Sequence, residues 1–63
     1  MENSVADRRH ERGWTQADLA AKVAVSRQTI VSIERGKYDP SLPLAFALAR
    51  VFGVTIEALF TPD

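Results

Sequence analysis

Sixty-three residues without a cysteine make one small domain that neither a disulfide nor a thiolate metal site can hold, so stability must come from a packed core or from association. A chain of this length buries only about 60% of the surface that its unfolded form exposes, which leaves no room for the deep cleft of an enzyme. Eight Lys and Arg balance eight Asp and Glu, which argues against indiscriminate polyanion binding, although the distribution of charge matters more than its sum. The near-apolar run from Leu42 to Ala49, interrupted by Pro43, falls far short of the roughly 20 residues of a membrane span. The opening residues MENSVADRRHERG carry no apolar signal region, and a soluble cytoplasmic protein is expected.

Taken in order, the chain is punctuated into five helices. The first, about residues 3–12, stops at Gly13. Thr15 with Asp18 has the spacing of a capping box and opens the second, about 16–23. Only Ala24, Val25 and Ser26 separate it from the third, about 27–35, which Ser26 caps and Gly36 ends. Ser41 opens the fourth, about 42–52, with Pro43 tolerated in its first turn and Gly53 after it. Thr55 opens the last, about 56–60. No segment alternates as a strand, and there are no repeats or linkers. The expected class is all-α, a five-helix bundle forming a single domain over 1–63.

The apolar spacing assigns the inside. Leu19, Ala20 and Val23 of the second helix face Ile30 and Ile33 of the third, with Val25 in the angle, because so short a turn crosses helices at about 90–120°. Leu44, Ala45, Leu48, Val51 and Phe52 close the core, and Trp14 belongs to it. Ile56, Leu59 and Phe60 share one face of the last helix, too near the chain end for this core to cover. Phe46 lies opposite Leu48 beside Arg50. These four are expected to form a homodimer interface.

Charge is unevenly distributed. Residues 26–38 hold Arg27, Arg35 and Lys37 against Glu34 alone, whereas residues 39–63 hold Arg50 against Asp39, Glu57 and Asp63. With Ile30 and Ile33 inward, the third helix turns residues 27, 28, 31, 32 and 35 outward.

From Thr15 to Lys37 the segment TQADLAAKVAVSRQTIVSIERGK resembles the helix-turn-helix of the Cro/C1-type (XRE) transcriptional regulators, and KYDPSLPLAFALARVFGVTIEALF is similar to the tail of their short, single-domain members. The resemblance spans essentially the whole chain and implies a lambda-repressor-like domain, with the helix-turn-helix at about 16–35 and C-terminal helices over 42–60. It departs from the family in two places: Ala24 stands where such sequences carry a turn glycine, and Arg8 where they carry a core leucine. An alanine with positive φ would cost on the order of 1 kcal/mol, and Arg8 would have to snorkel outward over its own stem.

The resemblance implies that the third helix enters the major groove of double-stranded DNA and that Arg27, Gln28 and Ser32 contact bases. The chemistry agrees, because arginine can grip guanine O6 and N7, glutamine can grip adenine N6 and N7, and Val31 can pack on a thymine methyl. Gln16 matches the family's phosphate anchor at the start of the second helix. Thr29, Arg35, Lys37 and Tyr38 are expected on phosphates. Arg9 and Glu34 match an internal ion pair of related domains, and both are read as structural. The expected function is a sequence-specific transcriptional regulator, a repressor, acting as a homodimer on an inverted-repeat operator. The alternative is an antitoxin-like or adaptor module that uses the same fold to hold a protein and binds DNA weakly. His10 stands alone, without a metal-binding partner set. With no nucleophile triad, phosphate-cradling glycine loop or carboxylate pair in the sequence, no enzyme activity, cofactor, metal or small-molecule ligand is expected.

Overall fold

The computed structural model describes residues 1–62. It contains α1 (Val5–Glu11), α2 (Gln16–Lys22), α3 (Arg27–Glu34), α4 (Leu42–Phe52) and α5 (Ile56–Leu59), flanked by two short strands, β1 (Glu2–Asn3) and β2 (Phe60–Thr61). The last residue of the expected domain, Asp63, lies outside the described residues. The all-α expectation holds, and four helix starts carry the expected caps. Thr15 and Asp18 form a reciprocal capping box, the hydroxyl accepting from the Asp18 N–H at 3.0 Å and the carboxylate accepting from the Thr15 N–H at 2.9 Å. The same backbone bond holds the Asp18 carboxyl below its ordinary range. Ser26, Ser41 and Thr55 each accept from the N–H three residues on. Such caps contribute about 1 kcal/mol each, which matters when most helices are two turns long.

The helix ends follow one pattern. After α1, α2 and α3, a left-handed residue turns the chain, and two backbone N–H groups reach back to the carbonyls left open in the last turn. Glycine supplies that conformation at Gly13 and Gly36, but the turn between α2 and α3 uses Ala24, with φ +58°. Val25 donates to the Ala20 carbonyl at 3.0 Å and Ala24 to the Ala21 carbonyl at 3.4 Å. The turn that joins α2 to α3 therefore rests on an alanine in a left-handed conformation.

Val5, Leu19, Ile30, Ile33 and Leu48 are fully buried, with Ala20, Ala45, Ala49 and Phe52 around them. Four features depart from the sequence reading. First, the chain ends pair as an antiparallel ribbon, Glu2 opposite Thr61 and Asn3 opposite Phe60, so α1 begins two residues later than expected. Strands of two residues have no alternation to read, and their partner lies at the other end of the sequence. Second, the ribbon turns the last residues inward. Leu59 and Phe60 are 1% and 5% exposed and belong to this chain's own core, which removes both from the expected dimer interface. Third, Trp14 packs against the core as expected but by one face only: it is half-buried, stacked on Phe52 at 5.9 Å between ring centres, with the Lys22 ammonium 4.5 Å and the Arg12 guanidinium 5.7 Å from its own ring. Fourth, Arg8 is held in place: its Nε donates to Ser4 Oγ at 3.0 Å and its Nη2 reaches the Ala58 carbonyl at 3.5 Å.

Ala24 is exposed, so glycine there loses no packing. Relief of a left-handed alanine is worth about 1–2 kcal/mol, against about 0.4–1 kcal/mol for the added freedom of the unfolded chain. Ala24→Gly should therefore raise Tm by about 2–6 °C, measured by circular dichroism. An unchanged or lower Tm would mean that the strain at Ala24 is no larger than the freedom that glycine adds to the unfolded chain.

Candidate nucleic-acid interface

The candidate surface is built on α3 and the loop that follows it. Ser26 sets the start of the helix, its hydroxyl accepting from the Thr29 N–H at 3.2 Å and sharing a 2.9 Å hydrogen bond with Thr29 Oγ1. Ile30 and Ile33 anchor the helix in the core at 0% exposure, and their spacing turns the first-turn residues Arg27 and Gln28 fully outward. Val31 and Ser32 follow about one turn on, on the same side, each half-buried. Arg35 closes the helix. Beyond it Gly36 takes φ +72°, and the Lys37 N–H returns to the Ser32 carbonyl at 3.1 Å. Lys37 and Tyr38 leave this turn exposed.

Asn3 holds the end of the helix from β1, its Nδ2 donating to the Ile33 carbonyl at 2.8 Å and to the Met1 carbonyl at 3.1 Å. The exit at Gly36 is close-fitting, because a Cβ there would stand 3.3 Å from the Met1 carbonyl oxygen. The first strand thus backs the loop that presents Lys37 and Tyr38. Sequence reasoning missed this support, for which Asn3 alone gives no signal.

Beneath the surface lies a polar network. Arg9 Nε and Nη2 donate to the two carboxylate oxygens of Glu34 at 2.7 and 3.1 Å, and the two side chains are 9% and 7% exposed. Arg9 Nη1 also donates to the Trp14 carbonyl at 2.9 Å. Burial alone would push the Glu34 carboxyl up, but the bonds from Arg9 and Gln16, with the charge of Arg9, together bring it below its ordinary range. The bond to Glu34 likewise raises Arg9.

The structure brings Arg27, Gln28, Val31, Ser32 and Thr29 onto one helix, and Arg35, Lys37 and Tyr38 just beyond its end. Tyr38 belongs with the helix more closely than its position in a loop suggests, since it lines one small notch with Gln28, Thr29 and Ser32. Gln16 is placed differently from the expectation of a free phosphate anchor. Its Nε2 donates to Glu34 Oε1 at 3.1 Å. One N–H of the amide is used inside the protein, and the second, with the amide oxygen, is left to the outside. With Glu34 turned inward, every ionised side chain that α3 and its exit loop expose up to Lys37 is positive: Arg27, Arg35 and Lys37. Among the described residues no group of side chains is arranged to hold a metal ion, and no helix is long and apolar enough to cross a membrane.

Comparison with known proteins agrees with this geometry. The sequence profile of a family described as "Helix-turn-helix" matches residues 5–59. The chain is 57% identical over 60 residues to an HTH-type transcriptional regulator of Methanocaldococcus jannaschii, covering 95% of this chain and 91% of that protein. Among solved structures, the restriction-modification controller protein C.AhdI of Aeromonas hydrophila superposes with a TM-score of 0.80 at 27% identity, covering 89% of this chain and 85% of that one. The N-terminal DNA-binding domain of SinR from Bacillus subtilis superposes with a TM-score of 0.75 at 28% identity, covering 84% and 78%. With the family profile spanning most of the chain and a relative more than half identical to it, the chain belongs to the helix-turn-helix transcriptional regulators of the Cro/C1 (XRE) type.

Proposed function

We propose that this protein is a sequence-specific double-stranded DNA-binding repressor that acts as a homodimer on an inverted repeat, in the cytoplasm where the chromosome lies. α3 lies in the major groove. Arg27 and Gln28 read base edges with paired hydrogen bonds, while Val31 and Ser32 fit the neighbouring base pair. Thr29, Arg35, Lys37 and Tyr38 hold phosphates on either side, and Gln16 meets a phosphate with its second N–H. Two such helices reading half-sites about 34 Å apart specify an operator, and repression follows from occupying DNA that polymerase needs.

One observation carries this reading: the single carboxylate of α3 is drawn inside by Arg9, so its outward face presents no negative charge to a polyanion. Arg27 and Gln28, the residues with the best geometry for bases, are also the most exposed part of the helix.

Selection of binding sites from a random duplex library at near-physiological salt tests the proposal. An enriched inverted repeat is expected, and it should vanish with the Arg27→Ala/Gln28→Ala variant. No enrichment from folded protein would instead favour the protein-holding adaptor. Arg27→Ala alone should cost about 1–3 kcal/mol on the selected site and relax one base position. Lys37→Ala should weaken all sequences alike and reduce the salt slope by about one. Fluorescence anisotropy on the selected and a scrambled duplex separates the two, and equal effects on both would refute the division of roles.

The network beneath the face has its own signature. A domain of this size is stable by about 3–9 kcal/mol, and leaving Arg9 buried alone costs about 3–5 kcal/mol, so Glu34→Ala should remove at least about a third of the stability. Because the Glu34 carboxyl is lower in the folded state than its ordinary 4.5, its contribution is complete above about pH 5 and is lost as pH falls through the folded value. Thermal melts from pH 6 to 3 should show a steeper decline in the wild type than in Glu34→Gln, with the residual slope due to groups such as Asp18. Parallel profiles would remove Glu34 as the acid-sensitive group.

A further inference from the structure

Two large apolar side chains stand out of α4 one turn apart, Leu42 at 63% and Phe46 at 49% exposure. They form a ridge beside shallow apolar hollows that meet at Ile56. One hollow lies between Leu42, Ala45 and Phe60, the other between Phe46, Ala49 and Val54. The rim of the second is charged, with Arg50 from α4 and Glu57 from α5. Both rim residues are exposed, and neither has an ion-pair partner among the described residues.

We propose that a second copy of this chain covers this face, the Leu42–Phe46 ridge of each copy entering the hollow beside Ile56 of the other, with Arg50 of each meeting Glu57 of the other. The proposal rests on the reading that the protein binds DNA as a homodimer, and assigns to that dimer a surface.

The occupant follows from the charges. A two-fold interface brings residue i against j and j against i, so a patch that dimerises must be complementary to itself. One ridge beside hollows, and one free cation beside one free anion, meet that condition. A patch of a single sign would instead fit a partner of the opposite sign. The net charge of zero leaves no long-range repulsion between copies. A standard interface takes about 800 Å² from each partner, about one fifth of this protomer's 3896 Å².

Sedimentation equilibrium of Arg50→Glu and Glu57→Arg, separately and mixed in equal amounts, tests the assignment, with Trp14 fluorescence and circular dichroism reporting folding. The wild type should sediment at twice its 7.0 kDa. Each variant alone should shift at least tenfold toward monomer, since like charges then meet twice. The mixture should regain the dimer, because each copy then carries the charge that the other lacks. Phe46→Glu, which changes an exposed side chain, should be monomeric whatever its mixture. A wild-type dimer that neither charge reversal nor Phe46→Glu weakens would overturn the interface while leaving the homodimer reading intact. A wild type that stays monomeric at tens of micromolar and on its selected DNA would overturn both.

Discussion

Burying a carboxylate is costly in any protein, and burying one on a helix whose other exposed ionised side chains are positive places conditions on everything around it. Here Arg9 meets those conditions. Its guanidinium grips both oxygens of Glu34 and also the Trp14 carbonyl, where the chain passes from α1 to α2. Glu34 in turn holds Gln16 at the start of α2. A single planar cation thus fixes the relative positions of the first three helices. In energy alone an apolar pair of similar volume could do as well. It could not orient Gln16, and a free Glu34 would place negative charge on the face that Arg27, Arg35 and Lys37 keep positive.

The same logic divides the remaining cations into two groups. Arg8 and Arg12 lie over the C-terminal ends of other helices, Arg12 donating to the Phe52 carbonyl at 2.8 Å and Arg8 reaching that of Ala58. Positive charge is favourable there because of the open carbonyls and the helix dipole. Lys22 and Arg12 also shield the ring of Trp14. These cations are committed to the scaffold, whereas Arg27, Arg35, Lys37 and Arg50 remain free of ion pairs among the described residues. A net charge of zero therefore says little about the surface, since much of the positive charge is engaged with carbonyls, rings and one buried acid.

Most of this arrangement was legible in the sequence because it is locally encoded. Ser26, Ser41 and Thr55 announce helix starts by chemistry that acts over three residues, and Gly13 and Gly36 announce helix ends in the same way. The outward face of α3 follows from the spacing of Ile30 and Ile33. Features that depend on distant partners were not legible. Glu2 and Asn3 form a strand only because Phe60 and Thr61 come to meet them. That pairing swings Leu59 and Phe60 into the core, although helical spacing alone leaves them on an uncovered face. The Arg9–Glu34 pair was readable only through resemblance, since 25 residues separate its members, and nothing at Gln16 announced that half of its amide would be spent inside.

The ribbon that joins β1 to β2 has a geometric consequence of its own. Glu2 and Thr61 stand opposite each other, so a polypeptide continuing from one end and a polypeptide continuing from the other would leave the molecule through the same gate. A short linker could close the two into a ring, and the exposed stretch before α4 offers a place to reopen it without cutting a helix. The domain could equally be set into a loop of another protein, entering and leaving at one point while α3 keeps its supports.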